Sequence, residues 1–228
     1  MSRGQARPDA VGPRVAPQGL YAITGDEHDT SQLVRKVGKA LVGGARMVQY
    51  RSKSADATLR HEQASALLAL CRSAQVPFII NDDLDLAETL GADGVHLGRD
   101  DIPVSVARTR LTGEKVLGAS CYNRLDLAVN AQEAGADYVA FGSAFPSITK
   151  PDAVKAPLSL YREAKACLEV PIVAIGGITL ENAPLLVRAG ADAIALVSAL
   201  FGADDIELRA RKLSALFDIH DLKKRPAV

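Results

Sequence analysis

The sequence predicts the α/β class and a single (β/α)8 TIM barrel with eight parallel strands, and three observations lead to this prediction. Short apolar runs rich in β-branched residues alternate with longer amphipathic stretches from residue 19 onward, which is the pattern of successive β-α units. Eight such units occur, and that number in about 200 residues favours a closed barrel over an open doubly wound sheet. One helix-to-strand turn repeats in the phrases GADGVHL (91–97), GADYVAF (135–141) and GADAIAL (190–196).

Each predicted strand is apolar along most of its length, as expected where helices cover one face and the barrel interior fills the other. In chain order the predicted strands are 20–24, 46–50, 77–81, 94–98, 115–120, 137–142, 171–176 and 193–198. The predicted helices are 30–43, 55–74, 83–90, 103–111, 124–134, 158–168, 180–189 and 205–219. Every predicted strand is therefore followed by one helix.

Residues with special turn chemistry mark several of the predicted helix ends. Asp29 and Thr179 offer side-chain oxygens to the free amides of a first helical turn. Gly91, Gly135 and Gly190 follow the last apolar residue of a helix, where glycine permits a left-handed cap. The aspartate in each GAD phrase is expected to hydrogen-bond the backbone at the turn, which is a structural role.

The predicted barrel domain covers 19–219, between a disordered N-terminal tail at 1–18 and a short C-terminal tail at 220–228. The N-terminal segment has no apolar stretch of the kind a signal peptide needs. No run of about 18 apolar residues is present, so no membrane span is predicted. Lys plus Arg and Asp plus Glu each total 27, and this balance argues against nucleic acid or an anionic membrane as a partner.

Cysteine and histidine residues give no sign of a metal site. Cys71, Cys121 and Cys167 are odd in number and widely spaced, which predicts free thiols and a cytoplasmic location. His96 lies inside strand four and is interpreted as a hydrogen-bonded core histidine, since no histidine pair has metal-site spacing. The oligomeric state stays open, and a homo-oligomer is allowed.

Strand two ends in a polar pattern, because Gln49, Arg51 and Lys53 occupy alternate positions. A two-residue period sends their side chains to one side of the strand. In a (β/α)8 barrel the reactive groups lie where strands end and βα loops begin. The pattern indicates either an anion site at the barrel mouth or a solvated strand end, and groups from other strands decide between the two.

Acidic turns follow strands three and four. Strand three ends in Asn81, Asp82 and Asp83, and the next loop carries Asp100 and Asp101. One carboxylate from each loop could ligate Mg²⁺, with waters and substrate oxygens completing the shell. Helix N-capping is the alternative use of the same carboxylates, and the residues alone leave both interpretations open.

The loop after strand six, 143–152, is unusually long. It carries Ser147, Thr149 and Lys150 between two prolines, so that two hydroxyls and a cation stand on a stiffened backbone. Flexible catalytic loops of barrels have this composition, and a solvated linker is the competing interpretation.

The loops after strands seven and eight contain Gly176-Gly177 and Val197-Ser198. In many barrels these two loops form a phosphate site, where glycine allows close backbone approach and a helix N-terminus presents amides. Structural packing of the glycines is the alternative. With the cations and carboxylates of strands two to four, the mouth offers two anion subsites, which predicts two phosphorylated substrates.

Six ordered stretches closely resemble the thiamine phosphate synthase family. They are QYRSK (49–53), FIINDDLDLA (78–87), GADGVHLGRDD (91–101), GADYVAFGSAFPSITKPD (135–152), VAIGGIT (173–179) and GADAIALVSAL (190–200). The resemblance implies condensation of 4-amino-5-hydroxymethyl-2-methylpyrimidine diphosphate with a thiazole phosphate, or its carboxylated form, to give thiamine phosphate and pyrophosphate. It also implies that Mg²⁺ is the cofactor and that the diphosphate leaves before the thiazole nitrogen attacks.

The resemblance implies a role for each matched residue. Asp82 and Asp101 would ligate Mg²⁺. Ser147 stands where many members of the family have Thr, so the 143–152 loop is where this chain departs from the family pattern. The residues implied to bind the pyrimidine diphosphate are Gln49, Arg51, Lys53, Asn81, Ser120 and Lys150. The residues implied to bind the thiazole phosphate are Ser147, Thr149, Gly177, Val197 and Ser198. The residues implied to be catalytic are Arg51, Lys53, Ser120 and Lys150.

Three other kinds of barrel protein fit these residues less well. A thiazole tautomerase paralogue would not need a diphosphate-binding set, and the intact QYRSK, Asn81-Asp82, Asp101 and Lys150 argue against it. An epimerase-like barrel would need metal-binding histidines at strand ends. A non-catalytic barrel that binds a thiamine precursor is expected to carry an output module, for which an 18-residue tail is too short.

Overall fold

Eight parallel strands close into a barrel in chain order, with β8 returning to pair with β1. This arrangement is seen in a computed structural model, which describes residues 16–53, 55–111, 113–146 and 154–224, the last of these with side chains to residue 218. The strands are β1 Gly19–Ile23, β2 Met47–Tyr50, β3 Phe78–Asn81, β4 Gly94–Leu97, β5 Val116–Tyr122, β6 Tyr138–Phe141, β7 Ile172–Ile175 and β8 Ala193–Leu196. The predicted (β/α)8 barrel is confirmed.

Helices follow the strands and cover the outside of the barrel. They are α1 Thr30–Val42, α2 Ala57–Ser73, α3 Leu84–Leu90, α4 Val104–Arg110, α5 Leu125–Glu133, α6 Leu158–Cys167, α7 Ala183–Ala189, α8 Ser198–Phe201 and α9 Ile206–Lys224. Within the described residues, none of these helices combines the length and apolar character that a membrane crossing needs.

The strands are buried on both faces because alternate side chains serve two separate cores. Tyr21, Met47, Ile79 and Tyr138 belong to a cluster inside the barrel. Their neighbours along the strands, such as Val48, pack with the helices in the larger outer cluster. Burial on both faces explains why each strand reads as an almost continuous apolar run.

The aspartates of the GAD phrases tie each new strand to the one before it. Asp93 accepts a hydrogen bond from the backbone N–H of Phe78 at 2.8 Å, and Asp192 accepts one from Ile172 at 2.9 Å. Asp137 bonds Leu117 in the same way at 2.8 Å. The role is structural, as predicted, but the backbone that these aspartates bond belongs to the neighbouring strand and not to the turn.

Most elements begin or end within one or two residues of the predicted bounds, and four differences from the prediction stand out. Strand β5 continues to Tyr122, with a register shift between Ser120 and Tyr122. Helix α8, which has four residues, was not predicted. Helix α9 extends to Lys224, past the predicted end at 219 and into the predicted C-terminal tail, because its sequence holds no Gly or Pro that would stop it.

Helix α7 begins at Ala183, three residues later than predicted, and Thr179 is not its cap. The carboxamide of Asn182 accepts from the Thr179 backbone N–H at 2.8 Å and donates to the Gly177 carbonyl at 2.9 Å. This side chain closes a turn just where the helix was expected to start. The prediction for Asp29 is confirmed, since its side chain accepts from the Gln32 amide at the start of α1.

Candidate active site

The segment that follows β2 is fixed to the end of β1. The buried Thr24 hydroxyl accepts from the Arg51 backbone N–H at 2.8 Å and donates to the Arg51 carbonyl at 3.0 Å. Two residues further along the same loop, Asp26 accepts from the Lys53 backbone N–H at 2.5 Å and from the Ser52 hydroxyl at 3.3 Å. The two cations therefore stand on a backbone that the first βα loop holds in place.

The acidic turns divide their carboxylates between two tasks. Asp83 caps α3, because its side chain accepts from the Leu86 amide at 2.9 Å. Asp101 instead accepts from the Gly98 amide at 2.6 Å inside its own loop, and α4 is preceded by Pro103 without a side-chain cap. The capping interpretation therefore applies to Asp83, and Asp82 and Asp101 have another environment.

Asp82 has an unusual backbone conformation at the end of β3. Its φ angle is +63°, a left-handed value that Asp tolerates better than most residues but that still carries strain. Its N–H donates to the carbonyl of His96 on β4 at 2.8 Å. Strained residues of this kind concentrate at functional sites, where the surrounding structure holds them.

Asp82 and Asp101 form a pair of adjacent carboxyl groups. Burial and a hydrogen bond with Asp101 raise the pKa of Asp82 to about 6, while Asn81 and Arg51 act in the opposite direction. Asn81, at the end of β3, and Arg51 therefore lie close enough to influence this pair. Two adjacent carboxylates attract a cation, and their oxygens suit a hard cation.

The described residues contain no cluster of three or more His, Cys, Asp or Glu side chains that could hold a metal ion. A cation at the pair formed by Asp82 and Asp101 would therefore take most of its ligands from water or substrate. Mg²⁺ binds in this way, through one or two carboxylates plus phosphate oxygens.

Below the acidic pair, the barrel interior contains a chain of polar side chains. Gln49, which is 2% exposed, donates from Nε2 to the Tyr21 hydroxyl at 2.8 Å. The Tyr21 and Tyr138 hydroxyls are 2.9 Å apart, and Tyr138 lies 3.0 Å from Nδ1 of His96. Nε2 of His96 is 2.9 Å from the hydroxyl of Ser120. The chain links Gln49 to Ser120, two residues that the sequence predicts to contact the same substrate.

His96 is a neutral residue in this environment. Burial lowers its pKa to about 4, although the nearby Asp101 carboxylate acts in the opposite direction. The prediction of a hydrogen-bonded core histidine is confirmed, and its partners are Tyr138 on β6 and Ser120 on β5.

The opposite side of the mouth is formed by the loops after β6 and β7, which touch closely. A Cβ atom on Gly177 would lie 2.3 Å from the carbonyl oxygen of Phe145 and 2.5 Å from that of Pro146. Gly177 also has a φ angle of +63°, so both its space and its conformation require glycine. The base of the 143–152 loop is closed by a 2.9 Å bond from the Ser143 amide to the Val154 carbonyl.

Val197 and Ser198 stand where β8 passes into α8, whose start lacks a side-chain cap. Gly25 of the β1 loop faces Val197, since a Cβ on Gly25 would lie 3.5 Å from Cγ1 of Val197. These residues and Gly177 therefore lie at the same end of the barrel as the acidic pair. Ser147, Thr149 and Lys150 lie outside the described residues.

Some residues that organise this mouth were not singled out from the sequence. Thr24, Asp26, Tyr21 and Tyr138 belong to this group. A polar residue at the last position of a strand was the available signal for Thr24, and inward parity along the strands was the signal for the two tyrosines.

Fold and site together define a barrel enzyme with an acidic pair and cationic side chains at the C-terminal mouth of its strands. The family described as thiamine monophosphate synthase matches residues 20–200. A thiamine-phosphate synthase of Nitrosospira multiformis is 53% identical over 217 residues, which cover 95% of this chain and 93% of the relative. One from Methylobacillus flagellatus is 56% identical over 201 residues, covering 88% and 96%.

A solved structure gives the same relationship. The thiamine phosphate pyrophosphorylase of Pyrococcus furiosus superposes with a TM-score of 0.80 at 35% identity, and the match covers 89% of this chain and 96% of that one. The chain belongs to the thiamine monophosphate synthase family, and it is a transferase.

Proposed function

We propose that this protein joins 4-amino-5-hydroxymethyl-2-methylpyrimidine diphosphate to a thiazole phosphate, or its carboxylated form, giving thiamine phosphate and pyrophosphate. The observation that carries the proposal is the pair formed by Asp82 and Asp101 beside Arg51, at the mouth of a barrel of this family. A diphosphate ester with a bound divalent cation matches that combination of charges, because its oxygens complete the coordination that two carboxylates begin.

The cofactor in this proposal is Mg²⁺, held by Asp82 and Asp101. The donor set fits Mg²⁺, because it consists of carboxylate oxygens. Burial and, after it, the neighbouring Asp101 carboxyl raise the pKa of Asp82, and a bound divalent cation would offset both effects on the charged form. Bound Mg²⁺ supplies charge neutralisation for the diphosphate as it leaves.

The protein's own residues bind and orient the pyrimidine diphosphate. Arg51 and Lys53 supply positive charge on a backbone that Thr24 and Asp26 hold. Asn81 at the end of β3 and Ser120 on β5 offer an amide and a hydroxyl to the same substrate in this proposal, and Gln49 lies deeper in the barrel. Lys150 of the 143–152 loop is proposed to bind the diphosphate.

Bond cleavage follows from this electrostatic arrangement. The bond between the pyrimidine methylene carbon and the diphosphate oxygen breaks, and its electron pair leaves with the pyrophosphate. Arg51, Lys53, Ser120 and Lys150 stabilise the charge that develops on that oxygen, because donors placed where charge appears in the transition state act most strongly in a site shielded from water.

The thiazole phosphate supplies the electron pair for the new bond. Its ring nitrogen attacks the methylene carbon, and the positive charge of the resulting cation ends on the thiazolium ring. The nitrogen loses no proton, so the chemistry requires no general base. With the carboxylated form of the thiazole phosphate, the bond between the ring carbon and the carboxyl group also breaks, CO2 leaves, and the ring carbon keeps the electron pair and takes up a proton from solvent. Ser147, Thr149, Gly177, Val197 and Ser198 hold the phosphate of this substrate, in the proposal, and thereby set the position of the nitrogen.

The proposed partners are these small molecules, with no nucleic acid and no membrane. The balanced charge of the chain supports this part of the proposal. A cytoplasmic location is proposed, and it is supported by three cysteines in the free thiol state.

Incubation of the purified protein with both phosphorylated precursors and Mg²⁺ tests the proposal. We expect thiamine phosphate and pyrophosphate to accumulate, and neither to form when one precursor is left out. Isomerisation of the thiazole phosphate without the pyrimidine diphosphate would instead indicate a tautomerase, and binding without any product a non-catalytic barrel.

A further inference from the structure

The polar chain inside the barrel crosses five strands and is almost completely shielded from water. Gln49 on β2, Tyr21 on β1, Tyr138 on β6 and His96 on β4 are 2%, 1%, 0% and 8% exposed, and Ser120 on β5 is half-buried. The four hydrogen bonds that join them measure 2.8, 2.9, 3.0 and 2.9 Å. Sites so enclosed hold hydrogen bonds in one arrangement, since a buried polar group without a partner is strongly disfavoured.

The direction of every bond in the chain follows from its first member. Nε2 of Gln49 is a donor only, so the Tyr21 oxygen accepts. The Tyr21 proton then goes to the Tyr138 oxygen, since the hydrogen-bond partners of the Tyr21 hydroxyl among the described residues are Gln49 and Tyr138.

The same direction continues to the mouth. Tyr138 accepts from Tyr21, so its own proton goes to Nδ1 of His96, which is therefore the unprotonated ring nitrogen. Nε2–H of His96 donates to the Ser120 oxygen. The proton of the Ser120 hydroxyl is then free to point away from the chain, toward the mouth.

The three rings are held in place by packing as well as by hydrogen bonds. Tyr138 stacks on His96 with ring centroids 5.5 Å apart and meets Tyr21 edge-on at 6.1 Å. Gly118 makes room for the Tyr138 ring, because a Cβ there would lie 2.1 Å from its Cζ and 2.4 Å from its hydroxyl oxygen. The Tyr138 ring therefore occupies the space that a side chain at position 118 would need.

We propose that Tyr21, Tyr138 and His96 are positioning residues that set the polarity of the Ser120 hydroxyl, so that it is held as a hydrogen-bond donor toward the departing diphosphate. The inference rests on the proposed function in one respect, namely that Ser120 contacts the pyrimidine diphosphate. In this arrangement His96 is not a general base. It accepts a hydrogen bond from Tyr138 and donates one to Ser120, so the bond direction set at Gln49 continues to Ser120.

A double-mutant cycle between Tyr138→Phe and Ser120→Ala tests the proposal. We expect Tyr138→Phe to lower kcat/KM for the pyrimidine diphosphate about tenfold, the size of effect expected when one hydrogen bond to a charged group is lost. In the Ser120→Ala background the same change should lower it by less than about twofold, because the hydroxyl it orients is gone. Equal effects in both backgrounds would overturn the proposal.

The matched control is Tyr161→Phe. Tyr161 is also fully buried and also donates one hydrogen bond, to the Phe141 carbonyl at 3.1 Å, but it packs in the outer cluster. The two variants should lower the midpoint of thermal unfolding similarly, and only Tyr138→Phe should change kcat/KM. If Tyr138→Phe does not fold, Tyr21→Phe replaces it in the cycle, with the same outcomes required.

A second measurement is independent of catalysis. The chain has four histidines, so the ring nitrogens of His96 can be assigned by ¹⁵N NMR in the wild type. We expect the proton on Nε2 in the wild type and a mixture of tautomers in Tyr138→Phe. A proton on Nδ1 in the wild type would contradict the inferred polarity. If the Nε2 proton is found and no thiamine phosphate forms, the proposed function fails while the polarity stands.

Discussion

At the scale of single residues, the neighbours Asp82 and Asp83 have opposite roles. Asp83 caps α3, whereas Asp82 turns with a φ of +63° toward Asp101. The sequence could place both at the mouth of the barrel. It could not tell which one caps, because that depends on the residue at which the helix begins, and a shift of one position exchanges the two roles.

The substitutions Asp82→Asn and Asp83→Asn form a matched pair. Asp82→Asn keeps a residue that tolerates positive φ and removes one carboxylate of the pair, so we expect kcat to fall by about a hundredfold and the required Mg²⁺ concentration to rise. Asp83→Asn keeps an equally good cap and should leave both values within about twofold. Steady-state rates over a Mg²⁺ titration measure this.

Thermal unfolding should also distinguish these two variants, and here Asp82→Asn, the less active one, should be the more stable. Without Mg²⁺, Asp82→Asn removes a carboxylate that is disfavoured by burial and by the neighbouring Asp101, and it should raise the unfolding temperature at neutral pH, whereas Asp83→Asn should leave it nearly unchanged. Equal activity in the two variants would show that the cation interpretation of Asp82 is wrong.

The three thiols differ in reactivity for a reason that is also local. Burial raises the pKa of Cys71 and of Cys121 to about 12, and both side chains are shielded, while Cys167 is exposed at the end of α6. We therefore expect one thiol per chain, Cys167, to react with iodoacetamide at pH 8, and all three after unfolding. Mass spectrometry of the labelled peptides reads the result, and rapid labelling of Cys121 in the folded protein would contradict it.

At the scale of elements, the strands were predictable because each is a short apolar run between turn residues, and the structure matches every one within two residues. The misses have physical causes. Helix α8 has only four residues, too few to produce a period. Helix α7 starts later than predicted because the Asn182 side chain closes a turn with Thr179 and Gly177. These bonds depend on the fold of the loop, which no local sequence pattern indicates.

The loops after β6 and β7 provide a test at this scale. Gly177→Ala places a methyl group 2.3 Å from the Phe145 carbonyl, so we expect the two loops to separate and KM for the thiazole phosphate to rise about tenfold. Gly113→Ala is the control, since Gly113 has a φ of +70° and nothing within 4 Å of a Cβ.

Both alanine variants carry a similar backbone strain of about 1 kcal/mol, measured as a loss of free energy of unfolding in urea. Only Gly177→Ala should change KM. A similar rise in KM for both variants would mean that lost stability, and not the contact between the loops, is responsible.

At the scale of the whole molecule, the closed barrel could be predicted from the number of units and the repeated turn, and the family from six ordered stretches. The polar chain inside the barrel could not. Tyr21 and Tyr138 are 117 residues apart, and both read as ordinary core aromatics until the barrel closes. Such contacts depend on strand register and shear, which local sequence does not specify.

The most direct test of the central claim is the stoichiometry of the reaction in a single incubation of the wild-type protein with Mg²⁺ and both precursors. A transfer in which the pyrophosphate leaves and the thiazole nitrogen takes its place requires one pyrophosphate for each thiamine phosphate formed, and neither product when Mg²⁺ is chelated. Pyrophosphate released without thiamine phosphate, or no product at all with both precursors and Mg²⁺ present, would contradict the account.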